Sequence, residues 1–244
     1  MNGRLSGKTA VITGGTAGLG LGIAEAFADE GAEVVCAARR DPRTGPTWPE
    51  QLHYHPVDVT DADSVVKLMA GVAERCGHID IVVANAGISI DGRVTRLAPT
   101  DWSRVVEVNL NGVFHTVQAA VPYLTVTAGT VITVSSALGS RPAVGAAAYC
   151  STKAAVEMFT KVCADELGAR KVTVNCLAPG IVDGGMTADF QQQNQAAWET
   201  YSSRLISGRA ASLSEIAAAA VYLAADAGYV NGHVLAVDGG LRWT

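Results

Sequence analysis

The sequence predicts a single doubly wound α/β domain over residues 1–244, a seven-stranded, mostly parallel sheet with helices on both faces. Three observations predict it. Short β-branched runs alternate with longer helical patterns from end to end, which implies parallel strands joined by right-handed crossovers. The strand runs are apolar throughout, as expected when helices cover both faces of a sheet. No stretch between the elements has a linker's composition; residues 41–50 (DPRTGPTWPE) are rich in Pro and Gly but long enough only for a surface loop.

The first strand, Thr9–Thr13, runs into a glycine loop and then the helix Leu19–Glu30. Glu33–Ala37 is the second strand and Leu52–Val57 the third. His53 and His55 share a face of that third strand, but no other His or Cys stands near to complete a metal site, so none is expected. The helix Asp63–Arg75 leads to the strand Ile79–Ala84, and Thr100–Leu124 reads as one long helix before the strand Thr130–Ser135. Thr152–Leu167 is the helix before the strand Lys171–Leu177, and Leu213–Ala224 precedes the last strand, His233–Val237. Residues 184–208 form the one long insertion without a clear strand. They open on glycines, pass through a glutamine-rich stretch and carry Met186, Phe190, Trp198 and Tyr201. Apolar side chains on a polar stretch beside the carboxyl end of a sheet predict a mobile substrate lid.

Apolar residues at 49% and charged residues at 17% favour a large buried core over disorder. A net charge of −5, with Arg39, Arg40 and Arg43 as the densest basic group, argues against nucleic acid as a partner. The 5 cysteines contain no C-x-x-C pair, which fits free thiols in a reducing cytoplasm better than zinc or disulfides. The first apolar run stops at a glycine loop, too short for a signal peptide. The longest, Ile216–Ala225, falls short of the roughly 20 residues of a membrane span. A soluble cytoplasmic protein is expected.

Gly14, Thr16, Gly18, Leu19 and Gly20 lie between a strand and a helix, where backbone N–H groups and the positive helix end face a phosphate. The G-x-x-x-G-x-G spacing differs from the G-x-G-x-x-G fingerprint, and taken alone it also suits a glycine-rich turn. Tyr149 and Lys153 stack on one helix face at i, i+4. A free phenol titrates near about 10 and is a poor acid at neutral pH; a neighbouring ammonium should lower it toward the working range. Ser136 ends a strand, where open α/β sheets place their ligands, and could hold a substrate oxygen beside Tyr149. Taken by itself, Y-x-x-x-K also fits an amphipathic helix with a surface lysine.

These motifs in order resemble the classical short-chain dehydrogenase/reductases over nearly the full chain. The matching stretches are Thr13 to Gly20, Asp58-Val59, Asn85-Ala86-Gly87, Asn109, Ser136, Tyr149 with Lys153, Pro179-Gly180 and Val237 to Gly240. The spacing from Ser136 to Tyr149 is the family's, which prefers Ser136 over Ser135. The resemblance implies a Rossmann-like fold and a catalytic tetrad. Tyr149 would be the general acid in reduction and the base in oxidation. Ser136 would stabilise the developing alkoxide, and Lys153 would bind the nicotinamide ribose. Asn109, with Asn111 as a competing candidate, would anchor a water in a proton relay. Asp58 and Val59 would line the adenine pocket, Asn85, Ala86 and Gly87 would pass beside the cofactor, and Pro179, Gly180 and Val182 would face the nicotinamide. Ala84 stands where an Asn is common. Gly184 stands where a Thr often grips the carboxamide, so Thr187 or a backbone group would substitute.

NADP(H) is expected over NAD(H). Ala38 occupies the place of the acidic residue that repels a 2′-phosphate, and Arg39 follows it with a guanidinium suited to one. Ala17, which lacks a basic side chain, and Asp41 count against this, so NAD(H) stays possible. The readings are an NADPH-dependent ketoreductase, an NAD-dependent secondary-alcohol dehydrogenase, or a non-catalytic nucleotide-binding protein. The expected substrate is a small-molecule carbonyl or alcohol, bulky and apolar rather than small and charged. Arg93 and Arg141 could meet an anion at the cleft mouth or be solvated charges. A homodimer or homotetramer is expected, with Val237–Thr244 at an interface.

Overall fold

The computed structural model describes residues 3–42, 48–184 and 195–241. Strands β1 (Thr9–Thr13), β2 (Glu33–Ala38), β3 (Leu52–Pro56), β4 (Ile81–Ala84), β5 (Thr130–Val134), β6 (Thr173–Pro179) and β7 (Val234–Val237) form one seven-stranded sheet in the order β3-β2-β1-β4-β5-β6-β7. Every neighbouring pair is parallel, so the expected mostly parallel sheet is wholly so. The order reverses between β1 and β4, where a crevice opens beyond the carboxyl ends of both strands.

Successive side chains of β1 enter opposite cores. Ala10 and Ile12 pack with Ile23 and Phe27 of α1 (Gly18–Asp29) and with Ile216 and Val221 of the last helix, Leu213–Ala225. Val11 packs on the other face with α2 (Ala62–Cys76), α4 (Gly112–Thr127) and α5 (Ala147–Gly168), through Val65, Leu68, Val117, Leu124 and Val156. The helix ends follow their residues. Asp61 caps α2 by accepting from the backbone of Asp63 and Ser64, and Gly77 ends that helix at φ 82°. Ser212 and Glu215 form a capping box at the start of the last helix.

Two departures matter for the site. The long helix expected over Thr100–Leu124 is split into α3 (Pro99–Val106), a π-helical turn at Glu107–Asn111, and α4. The helix expected from Thr152 starts earlier, at Ala147, which puts Tyr149 in its first turn. The insertion at 184–208 contains a helix, α6 (Gln195–Ser202), so the last helix is α7. Met186, Thr187 and Phe190 lie outside the described residues, as does Arg43. Among the described residues no helix is long and apolar enough to cross a membrane.

Candidate active site

The glycine loop is built by close approach. Gly14 and Gly18 adopt φ of 67° and 52°, open to glycine at little cost. A Cβ on Gly20 would stand 2.2 Å from the Gly14 carbonyl oxygen and 2.5 Å from Asn85 Nδ2. The loop is clamped from both sides. Gly14 N–H donates to the Ala37 carbonyl at 2.7 Å, and Asn85 Nδ2 donates to the carbonyls of Thr13 and Gly14 at 3.0 and 3.2 Å. Thr13 Oγ1 in turn accepts from the backbone N–H groups of Asn85 and Ala86. Asn85 was expected beside the cofactor; its amide holds the loop in shape. Ala17 is extended and offers no side-chain cap to the first N–H groups of α1. A tight, uncapped, positively polarised turn fits a pyrophosphate.

At the ribose end, β2 stops at Ala38, and Arg39 and Arg40 are exposed beyond it. The Asp58 carboxyl is held below its ordinary range, first by bonds from the Thr60 backbone and hydroxyl and then by the nearby charge of Arg39. Val59 is buried against Gly112, where an added Cβ would lie 2.7 Å from Val59 Cγ2.

Ser136 stands near enough to Tyr149 to act on its hydroxyl, and Lys153 Nζ lies 5.5 Å from the Tyr149 ring centroid. Ser136 Oγ also accepts from Leu138 N–H at 3.2 Å, where it caps a short 3₁₀ turn at Ala137–Gly139. The neighbouring Ser135 is buried and spends its hydroxyl on the Lys153 carbonyl and on Glu157, at 3.0 and 2.9 Å. That leaves Ser136 as the serine facing Tyr149. Asn109 sits in the π turn, fully buried, with Oδ1 accepting from Ile88 N–H and Nδ2 donating to the Ile88 carbonyl and to Thr152 Oγ1. Its amide anchors the loop after β4, a role signalled beforehand only by a polar residue in an apolar helix. A Cβ on Gly87 would lie 3.4 Å from Asn109 Oδ1 and 3.6 Å from Lys153 Nζ, so Gly87 lines the space above the lysine.

One electrostatic expectation is reversed. Burial pushes the Tyr149 hydroxyl above its ordinary value, opposed by the nearby Ser136 hydroxyl, and Lys153 does not lower it. The lysine ammonium is turned instead onto the Val134 carbonyl at 2.7 Å. Burial lowers Lys153 itself from 10.5 to about 8, with the adjacent Cys176 opposing. The folded chain therefore binds fewer protons than the unfolded one between those values. The destabilisation is complete below about pH 8 and fades as pH rises to 10.5. That difference is on the order of 3 kcal/mol, less about 1 kcal/mol for a Val134 carbonyl left without its donor. Lys153→Met should therefore gain about 2 kcal/mol in urea unfolding at pH 7 and lose that gain by pH 10.5; equal stability at pH 7 would contradict it.

On the nicotinamide side, Pro179 ends β6 and Gly180 N–H donates to the Val237 carbonyl at 2.9 Å. Val182 bridges to Ala211. Gly184 adopts φ 99° with open space where a Cβ would be, and the substitute considered for it, Thr187, lies outside the described residues. Arg141 is not a free anion-binding charge. It pairs with Asp238 at 2.9 Å and donates to the Leu241 carbonyl at 2.7 Å, whereas Arg93 is exposed.

The profile of the family described as short chain dehydrogenase matches residues 8–195. The chain is 34% identical over 254 residues to the 3-oxoacyl-(acyl-carrier-protein) reductase FabG of Chlamydia trachomatis, covering 99% of this chain and 100% of that protein. It is 35% identical over 246 residues to the protein of the same name from Thermotoga maritima, covering 98% and 99%. The meso-2,3-butanediol dehydrogenase of Serratia marcescens is 35% identical over 243 residues, covering 97% and 95%. The solved structure titled gox2181 superposes with a TM-score of 0.90 at 28% identity, over 97% and 96% of the two chains.

Proposed function

Because this chain belongs to the short-chain dehydrogenase family, a family of NAD(P)-dependent oxidoreductases, we propose that it is an NADPH-dependent reductase of ketone or 3-oxo groups to secondary alcohols. The observation that carries this reading is the meeting of Ser136, Tyr149 and buried Lys153 beside a glycine loop shaped for a pyrophosphate. The bound nicotinamide would supply the hydride to the carbonyl carbon. Tyr149 gives its proton to the carbonyl oxygen, and burial favours that role by keeping the phenol protonated until charge develops. Ser136 donates a hydrogen bond to the same oxygen and stabilises the growing negative charge. Lys153, its ammonium held on the Val134 carbonyl, would bind the nicotinamide ribose beside the ring. Gly14, Thr16, Gly18, Leu19 and Gly20 would hold the pyrophosphate, Asp58 and Val59 the adenine, Asn85 to Gly87 one side of the ribose with Lys153, and Pro179, Gly180 and Val182 the nicotinamide. Residues 184–208, of which 185–194 lie outside the described residues, would serve as the substrate lid. The chain assembles as a homodimer or homotetramer, and exposed Phe114, Met158 and Val162 on α4 and α5 are apolar groups such assembly would cover.

NADPH is favoured by the pairing of the exposed Arg39 with Ala38, which ends β2 where an acidic residue would repel a 2′-phosphate. One charged fork of hydrogen bonds contributes about 1.5–3 kcal/mol, a preference of roughly ten- to hundredfold. Replacing Ala38 by Asp together with Arg39 by Ala should invert it. The test measures kcat/KM with NADPH and NADH, on a 3-oxoacyl thioester in reduction and on meso-2,3-butanediol in oxidation. A wild-type ratio near one, or favouring NADH with the diol, would give the NAD-dependent alcohol dehydrogenase instead.

A further inference from the structure

Three neighbouring strands deliver three turns to one end of the sheet. β5 leads into the Ser136 turn, β6 into Pro179–Gly180, and β7 into Asp238–Leu241. The third turn is packed against the other two. A Cβ on Gly180 would stand 2.6 Å from Asp238 Cα, so the nicotinamide-side turn lies directly on Asp238. Ala137, the residue after Ser136, forms a small buried cluster with Leu205 and Leu241, against which Ile181 packs. Leu205 belongs to the segment that follows α6. There, Ser207 N–H donates to the Gly239 carbonyl at 3.3 Å, and a Cβ on Gly239 would meet Ser207 Oγ at 2.8 Å.

One side chain ties these pieces together. Arg141 leaves the Ser136 turn and places Nη1 2.9 Å from Asp238 Oδ2 and 2.7 Å from the Leu241 carbonyl oxygen. The Asp238 side chain is only 12% exposed, and its other oxygen accepts from Gly240 N–H at 3.0 Å. A carboxylate so placed is fixed by its own turn and offers the guanidinium a defined anchor, unlike a pair of mobile surface charges.

We infer that Arg141 is a positioning residue which, by gripping Asp238 and the Leu241 carbonyl, locks the turn bearing Ser136 in register with the Pro179–Gly180 turn and with the Leu205–Ser207 segment. This rests on the hydride-transfer reading of the site. Under that reading the oxygen held by Ser136 and the face presented by Gly180 must keep a fixed separation, and small misplacements weigh heavily on turnover. Arg141 touches neither reactant; it acts through the two turns.

The experiment compares Arg141→Met, Asp238→Asn, the double variant and Arg141→Lys. In the cofactor-free proteins, hydrogen exchange at Leu138, Gly139 and Ser207 should quicken in the first three variants, while exchange in the helices α1 and α2 stays as in wild type. In turnover, kcat should fall by about ten- to hundredfold. The isotope effect from deuterated nicotinamide should rise toward its limit, and cofactor affinity by fluorescence titration should hold within about twofold. The double variant should lose no more than either single one, and Arg141→Lys should recover part of kcat. Unchanged exchange at the three amides, additive losses in the double variant, or a fall confined to cofactor affinity would each overturn the inference. If a Met variant fails to fold, Arg141→Lys decides, because loss of the guanidinium that meets both Asp238 and the Leu241 carbonyl must show in kcat with folding intact. Wild-type protein that oxidises or reduces nothing would sink the hydride-transfer reading instead, while the exchange data would still report on the latch.

Discussion

Tyr149→Phe is expected to lower turnover by about 10²- to 10⁴-fold while leaving cofactor affinity within about twofold of wild type. The change removes one oxygen. The ring remains, and with it the surface that Lys153 faces at 5.5 Å from the centroid. Ser136 loses a partner but keeps its bond from Leu138 N–H, so the turn does not unravel. What disappears is the group placed to give a proton to an oxygen held by Ser136, and such a loss acts on the transition state rather than on ground-state binding. Single-turnover rates and a fluorescence titration of the nucleotide separate the two. Turnover kept within about tenfold would be a loss under roughly 1.4 kcal/mol, too small for the removal of a general acid.

Gly20→Ala should nearly abolish nucleotide binding, with affinity down about hundredfold or more, and should also cost about 1–3 kcal/mol of stability. The added carbon would sit 2.2 Å from the Gly14 carbonyl oxygen. That oxygen cannot withdraw, because Asn85 Nδ2 grips it and the Gly14 N–H is tied to the Ala37 carbonyl. The strain must move the loop, and the loop is where the pyrophosphate would rest. Gly71→Ala is the contrasting case. It lies inside α2, with nothing closer to a new Cβ than His55 Nε2 at 3.5 Å, so it should stabilise by up to about 1 kcal/mol and leave binding alone. Calorimetric titration together with thermal unfolding checks both; tight binding by Gly20→Ala would show the close approach to be dispensable.

The sheet was legible because its central strands β1, β4, β5 and β6 are buried almost throughout and so read as largely apolar runs; β1 matches its expected bounds, and the other strands shift only at their ends. The tetrad was legible for another reason, since its spacing belongs to a known family. What escaped was whatever depends on contacts distant in sequence or on weak local signals. The π turn at Glu107–Asn111 changes the helical period for one turn only, and Val105, Val113 and Val117 still supply apolar residues on both sides. The early start of α5 carries no capping side chain, only Ala146 before Ala147 and Ala148. The clamp by Asn85 joins atoms more than 70 positions apart, and the pairing of Arg141 with Leu241 spans 100. No periodicity can announce either. α6 lies in a polar, glutamine-rich stretch without a stop or start signal.

The reversal of strand order between β1 and β4 also has a kinetic meaning. Pairing those two strands closes the chain over about seventy residues, with Asp80 accepting from Thr9 N–H at one end of the seam and Asn85 gripping Thr13 and Gly14 at the other. Closures of that length are slow to form, because chain entropy opposes them before any contact rewards them. The β2 and β3 arm can pair with β1 earlier, through shorter loops, yet the glycine loop acquires its final shape only when Asn85 arrives from β4. Nucleotide fluorescence would then mark the moment at which the two halves of the sheet meet, and a refolding trace followed through it would time that joining rather than the collapse of either half.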